Sequence, residues 1–239
     1  MPENYEIEFI NSKNENEYVK SFHFRKPEDF RYRAGQFIVL RLEDEKRDPK
    51  SSLRQFSLSS APYEEDLVIT TTVKGRNSQF KESLDALVTG QEVKMFGPNG
   101  NFFQEDEKGC LLIAGDMGIT PFRSIIMQSL SERKDSRFTL IHYYSADHFR
   151  LFLEDLEKVP GDLLKIVKAS VHSLDQVALE SNDSTYQIKE CINDELNMND
   201  GLSIMIAGPP LFVDSVTGII NSVEMEKHIR VKKEKFTGY

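Results

Sequence analysis

Arg54-Gln55-Phe56-Ser57 places a guanidinium, an amide, an aromatic ring and a hydroxyl together at the start of a short β-type run. A guanidinium there suits a phosphate, and an aromatic face with a hydroxyl beside it suits a planar ring system. A surface arginine next to an alternating strand gives the same pattern. Downstream, Thr70-Thr71-Thr72-Val73-Lys74-Gly75-Arg76-Asn77-Ser78 reads as a strand entering a helix. Free backbone N–H groups at such a start, with the Ser78 hydroxyl and Arg76 alongside, make a pyrophosphate site. An ordinary strand-to-helix turn capped by serine is the other reading.

Two glycine turns follow in the second half. Leu111-Leu112-Ile113-Ala114-Gly115-Asp116-Met117-Gly118-Ile119-Thr120-Pro121 is an apolar strand, a turn and a helix with proline near its start. The glycines let backbone approach a dinucleotide pyrophosphate, and proline loses no hydrogen bond in a first helical turn. The run is not the G-x-G-x-x-G fingerprint, and plain strand-helix packing also calls for such a turn. Ile204-Met205-Ile206-Ala207-Gly208-Pro209-Pro210 repeats the arrangement at a later strand end, the edge where open parallel sheets bind ligands.

The elements needed to position these groups are visible as two grammars. Up to about residue 104, short β segments such as Gln36 to Leu42, Gln55 to Ser59, Leu67 to Val73 and Glu92 to Phe96 predict a small antiparallel β-barrel. A helix over Ser78 to Leu87 interrupts it, and Gly97-Pro98-Asn99-Gly100 closes it with a turn. From Gly109, strands alternate with helices. Strands are expected at Cys110 to Ala114, Phe138 to Ser145, Leu163 to Ala169, Ile188 to Leu196, Leu202 to Ala207 and His228 to Phe236. Helices are expected at Pro121 to Arg133, Phe149 to Val159 and Leu211 to Val223, with a polar connection over Ser170 to Tyr186. This predicts a two-domain chain, a β-barrel over residues 1–104 and an α/β parallel-sheet nucleotide-binding domain over 105–239.

Composition narrows the function classes. The 239 residues carry a net charge of −9 with no long basic run, which argues against nucleic acid as a partner. No window approaches a membrane span and no leader pattern opens the chain, so the cytoplasm is the expected location. Cys110 and Cys191 are too few and too far apart for a disulfide framework or a cysteine-held metal, and the histidines are not spaced as metal ligands. The basic run His228 to Lys235 fits either an acidic electron acceptor or a solvated strand edge.

In order and spacing, Ala34-Gly35-Gln36, Arg54 to Ser57, Gly97 to Gly100, Gly118 to Ser124, Gly208-Pro209-Pro210 and Phe236-Thr237-Gly238-Tyr239 resemble the ferredoxin–NADP reductase superfamily, especially its compact bacterial members without an iron-sulfur domain. The resemblance implies an enzyme in which NADH or NADPH gives hydride to FAD. Reduced FAD then passes electrons to a separate acceptor, a ferredoxin- or flavodoxin-like protein or a small molecule. It implies that Arg54 holds the FAD diphosphate with Arg76, Asn77 and Ser78, while Gln55 and Phe56 belong to the same flavin-binding run. By the same resemblance, Ser57 lies near the reactive flavin nitrogen, the Thr70, Thr71 and Thr72 strand runs beside the flavin, and Tyr239 covers its ring. Gly115, Met117, Gly118, Thr120 and Pro121 would face the nicotinamide dinucleotide opposite Gly208 and Pro209. Ser57 and Tyr239 are the residues expected at the chemistry itself.

Three positions depart from the family pattern. Phe56 stands where tyrosine is usual, costing a hydrogen bond of about 1 kcal/mol. Ala207 replaces a frequent cysteine, and Asp116 brings a carboxylate that must point away from any pyrophosphate. The last two motivate a second reading, a flavin-binding regulatory or adaptor protein with weak nicotinamide reactivity. Ser145-Ala146-Asp147 follows the second strand where a carboxylate suits a free ribose hydroxyl; Asp147 as a helix cap is the competing reading. The ribose role predicts kcat/KM for NADH at least equal to that for NADPH, while His148 and Arg150, close by in sequence, are cations able to swing toward a 2′-phosphate instead; comparing the two dinucleotides in wild type and Asp147→Ala tests it. A wild-type preference of about tenfold for NADPH, about 1.4 kcal/mol, would contradict it.

Overall fold

The computed structural model describes residues 3–42, 52–74, 78–105, 110–132, 136–146, 149–170, 182–198, 201–223 and 228–237. Two compact units divide the chain: Met1–Phe103 with Arg123–Gln128, and Gln104–Phe122 with Ser129–Tyr239.

The first unit is an antiparallel sheet of six strands. These are β1 (Glu3–Asn14), β2 (Val19–Arg25), β3 (Phe37–Arg41), β4 (Leu53–Ser57), β5 (Asp66–Thr72) and β6 (Glu92–Asn99), in the order β4-β3-β6-β1-β2-β5. A bridge between Leu58 and Ile69 ties the two edges, so the sheet closes on itself. Alternation makes this possible: Ile7 and Phe9, Phe22 and Phe24, Ile38 and Leu40, Leu67 and Ile69, and Val93 and Met95 all turn into one core. Each such side chain contributes about 1.5–3 kcal/mol of burial. Helix α1 (Gln79–Asp85) adds Phe80 and Leu84, one turn apart, and starts at Ser78, whose hydroxyl accepts from the Lys81 N–H.

The glycine-proline run at residues 97–100 is not a turn throughout. Strand β6 continues through a cis Gly97–Pro98 peptide to Asn99, with Gly97 beside Glu3 and Asn99 beside Phe37. A register shift between Phe37 and Val39 accommodates the extra length. The chain turns at Gly100, where φ is +86°.

Residues 123–128 supply the first unit with polar clamps. The Arg123 guanidinium donates to the Ser59 carbonyl at 2.8 Å and to both Glu64 carboxylate oxygens at 2.9 and 3.1 Å. The Ser124 hydroxyl donates to the Ser60 carbonyl at 2.6 Å, as does the Tyr32 hydroxyl at 3.0 Å. Burial accordingly pushes the Tyr32 phenol far above its usual range.

The second unit is a parallel sheet with the order β11-β10-β7-β8-β9. Its strands are β7 (Cys110–Gly115), β8 (Phe138–Tyr144), β9 (Leu164–Ser170), β10 (Gly201–Gly208) and β11 (His228–Lys235). Every residue of β7 and β8 is buried, as expected of central strands covered on both faces. Helices α2 (Ile119–Ser131), α3 (Leu153–Leu156), α4 (Asn182–Met198) and α5 (Pro210–Asn221) complete the alternation. The antiparallel barrel-like unit followed by a parallel α/β unit is the architecture expected from the sequence.

Two further elements differ from expectation, and the polar connection expected to reach Tyr186 gives way to α4 at Asn182. Ile188 to Leu196 lies inside α4, where Ile188, Cys191, Ile192 and Glu195 are buried at helical spacing. Glu195 is kept satisfied there by the Thr139 hydroxyl at 2.6 Å. The helix expected over Phe149 to Val159 shrinks to the single turn of α3, because Phe152 before it takes a left-handed φ of 58°.

The Arg123–Glu64 pair generates a stability prediction. Arg123→Met leaves a partly buried carboxylate without its fork of donors and should cost about 2 kcal/mol. Adding Glu64→Gln should recover part of that loss in urea unfolding. Equal midpoints for wild type and Arg123→Met would contradict the assignment.

Candidate nucleotide-binding sites

In the first unit, strand alternation divides the residues at positions 54–57. Arg54 and Phe56 share one face, and both reach Phe80 of α1: the guanidinium lies 5.5 Å from that ring's centroid and the two rings are 5.9 Å apart. Gln55, which is exposed, and Ser57, which is half-buried, belong to the alternate set. Arg54 also donates to the Leu53 carbonyl at 2.7 Å.

The three threonines of β5 do different things. The Thr70 hydroxyl is committed to a buried chain with Ser21 at 2.8 Å and Ser59 at 2.9 Å. Thr71 is also buried. Thr72 is half-buried and accepts from the Lys81 ammonium at 2.5 Å. Lys81 is thus a further cation close to Ser78, one that sequence reasoning missed. Its signal was its place in the first helical turn, three residues after the capping serine. Arg76, Asn77, Asp147 and Tyr239 lie outside the described residues. A cavity of about 490 Å³ in this unit, lined by Arg41, Leu42, Ser83 and Lys94 among others, touches none of the predicted site residues.

In the second unit, the turns after β7 and β10 meet. A Cβ at Gly118 would stand 2.0 Å from the Ala207 carbonyl oxygen, and one at Gly115 would stand 2.7 Å from the Phe212 ring. Neither position admits a side chain without backbone movement or repacking. Gly115, Met117, Gly118, Thr120 and Pro121 are all buried, and Pro209 and Pro210 are half-buried. The Thr120 hydroxyl turns back to the Met117 carbonyl at 2.9 Å. Gly208 closes β10, and its carbonyl accepts from the Phe236 N–H at 2.9 Å. Helix α2 starts at Ile119, so Pro121 is its third residue, still among the four N–H positions without an intrahelical acceptor.

Asp116 does point away from the turn's own backbone. At φ 47° it sends its carboxylate to the end of β8, accepting from the Ser145 N–H at 2.8 Å and the Ser145 hydroxyl at 2.8 Å. The Asp116 carbonyl accepts from His142 Nε2 at 3.1 Å. Ser145 was predicted as a site residue; its partnership with Asp116 was not. Burial lowers the His142 imidazole to about 4, against a smaller opposing effect of that hydrogen bond, so it is neutral near pH 7. On β11, Glu234 stands in register with Ala207, and burial raises its carboxyl to about 7. Cys110 and Cys191 are separate buried thiols, and among the described residues no His, Cys, Asp and Glu cluster could hold a metal. Among the same residues no helix is long and apolar enough to cross a membrane.

His142 gives the unit a pH signature. The unfolded state takes up its proton near pH 6.5, whereas the folded state resists until about pH 4. Stability should therefore fall as pH drops through that window, by about 3 kcal/mol in all. Replacing His142 with Gln should remove that part of the slope from thermal unfolding measured between pH 7 and 4. An unchanged slope in the variant would contradict a buried, neutral imidazole.

Residues 112–218 match the model of the oxidoreductase NAD-binding domain family. Over 231 residues the chain is 28% identical to a 3-ketosteroid-9-alpha-monooxygenase, ferredoxin reductase component, of Rhodococcus rhodochrous, covering 91% of this chain and 61% of that protein. It is 25% identical to a flavohemoprotein of Bacillus subtilis, covering 90% of this chain and 55% of the other. The chain thus spans less than two thirds of either relative. Its fold is similar to that of ferredoxin-NADP+ reductase from Plasmodium falciparum, with TM-score 0.78, 16% identity and 96% of each chain covered. It is also similar to a ferredoxin NADP+ reductase from Neisseria gonorrhoeae with bound FAD and NADP, with TM-score 0.72, 19% identity, and 98% and 99% of the two chains covered.

Proposed function

We propose that this chain is a member of the ferredoxin–NADP reductase superfamily and an NAD(P)H-dependent flavoprotein reductase, with residues 1–104 binding FAD and residues 105–239 binding the nicotinamide dinucleotide. The observation that carries this reading is the side-chain-free meeting of Gly118 with Ala207 at the C-terminal edge of a parallel sheet. The C-terminal edge of a parallel sheet, where glycine turns let backbone segments come close together, is where dinucleotides bind.

In the first unit, Arg54 and Lys81 supply cations for a diphosphate, and Phe56 supplies an aromatic surface half-buried against Phe80. Their chemistry fits a flavin dinucleotide. Arg76, Asn77 and Ser78 would extend the phosphate contacts, and Ser57 and Thr72 offer hydroxyls to the ring and its side chain. Thr70 and Thr71 act in this reading through backbone and packing, since the Thr70 hydroxyl is already taken. In the second unit, Gly115, Met117, Gly118, Thr120 and Pro121 shape one wall for the nicotinamide dinucleotide, and Gly208 and Pro209 the other. Tyr239 is assigned the role of covering the flavin ring. A bound flavin would supply the redox chemistry, taking two electrons as hydride and passing both on, together or one at a time, while the residues named here would hold and align it and exclude water.

The acceptor is proposed to be a separate redox protein of ferredoxin or flavodoxin type, or a small molecule. Two buried free thiols suit a reducing compartment, the cytoplasm. The adaptor reading keeps one supporting observation, the Asp116 carboxylate at the ligand edge.

Purified protein should be yellow and release FAD on acid treatment, and anaerobic NADH or NADPH should bleach the oxidised flavin band. FMN alone, or colourless protein that rejects FAD, would sink the cofactor assignment; bound flavin that stays oxidised would favour the adaptor. Arg54→Ala should weaken FAD binding by about 2 kcal/mol, roughly thirtyfold, through loss of a charge-assisted phosphate bond.

A further inference from the structure

We infer that the cavity between β3, β6 and the end of α1 in the first unit is a further small-molecule site, one that takes an organic monocarboxylate through Arg41. The cavity shares no residue with the proposed flavin and dinucleotide sites, so the inference stands apart from the reductase reading.

Its volume, about 490 Å³, falls in the range of pockets that enclose small organic ligands. Alternation along β3 turns Ile38 and Leu40 into the core and leaves Arg41 on the opposite face, half-buried. No carboxylate stands level with it on either neighbouring strand, because Arg41 is in register with Lys94 of β6 on one side and with Leu53 of β4 on the other. Among the described residues Arg41 makes no hydrogen bond or ion pair. Lys94 itself has Glu6 level with it on β1, and Arg41 alone carries the recognition.

The chemistry of the lining selects the ligand. A guanidinium presents parallel N–H donors that match the two oxygens of a carboxylate, a pairing stronger than a neutral hydrogen bond. Beside it the cavity is apolar: Leu42 and Val93 are buried, Leu87 is half-buried, and Ala86 ends α1. That surface suits a hydrocarbon body attached to the acid. Glu6 and Glu92 also line the cavity, so the formal charges of its two bases and two acids cancel. A phosphate dianion would bring more charge than the guanidinium balances, whereas a single carboxylate needs only that one fork.

The fold does not depend on these groups. The core next to the cavity is closed without Arg41, since Leu40, Leu84 and Met95 are fully buried. Ala86 is exposed at the C-cap of α1, with φ −88° and ψ 0°, a conformation open to any side chain. Both positions can therefore be changed to probe the cavity while the barrel stays intact.

Octanoate is the probe, titrated by calorimetry into the full-length protein as purified, with octanol and inorganic phosphate as comparison ligands, in wild type, Arg41→Gln and Ala86→Phe. Wild type should bind octanoate saturably, about tenfold or more tighter than either comparison ligand. Arg41→Gln should weaken octanoate by about tenfold and leave octanol unmoved, because only the charge-assisted pair is lost. Ala86→Phe, which fills the apolar end, should weaken both, and both variants should unfold at the wild-type midpoint. If Arg41→Gln melts early, Ala86→Phe alone decides the site. Octanoate that does not saturate the wild type, or that binds the wild type and Ala86→Phe alike, would overturn the site; phosphate bound tighter than octanoate would overturn the ligand class. None of these results touches the flavin assignment, which bleaching by NADH or NADPH tests separately.

Discussion

The closest backbone approach at the candidate site, Gly118 against the Ala207 carbonyl, sets the geometry of the second unit. A methyl group at residue 118 would have its Cβ 2.0 Å from that oxygen. The contact brings the turn after β7 onto the end of β10, strands that are already parallel neighbours with Ala114 level with Ala207. Once the turn is seated, Asp116 is directed to Ser145 and joins the end of β8 to the same assembly. Three strand ends thus become one surface, with a buried neutral histidine beneath it.

The first unit is organised by polar fixation around an aromatic core. Ser21, Thr70 and Ser59 share one buried chain of hydroxyls linking β2, β5 and the segment after β4. Arg123 and Ser124 fix the loop from Ser59 to Glu64. Where β4 and β5 carry their candidate groups, the cations Arg54 and Lys81 are each tied to a neighbour, Phe80 for one and Thr72 for the other. Buried polar groups that are fully paired in this way add rigidity rather than cost.

The parts of the structure legible in sequence were those with strong local causes. Alternation in β3 and β5, the uninterrupted apolar runs of β7 and β8, and the serine before α1 each have one dominant local solution. Misreadings arose where local patterns were compatible with two solutions. Ile188-Lys189-Glu190-Cys191-Ile192 is a short apolar cluster whose helical spacing emerges only across the full length of α4. Phe149 to Val159 has helical composition, but a left-handed Phe152 confines the helix to one turn. Gly97-Pro98-Asn99 carries turn residues and yet is held in β6 by pairing with Glu3 and Phe37, contacts made far away in the chain. At the candidate site, the motif positions were readable because backbone approach demands glycine. The Asp116–Ser145 clasp was not, because it joins residues 29 positions apart.

The turns after β7 and β10 meet at the edge proposed to take the dinucleotide. Amide chemical shifts of the isotope-labelled, full-length protein during titration with oxidised nicotinamide dinucleotide test that proposal most directly. The largest shifts are expected at Gly115, Gly118, Ser145, Ala207 and Gly208, saturating together with one dissociation constant. Saturable shifts confined to other parts of the chain, with these five amides unmoved, would contradict it.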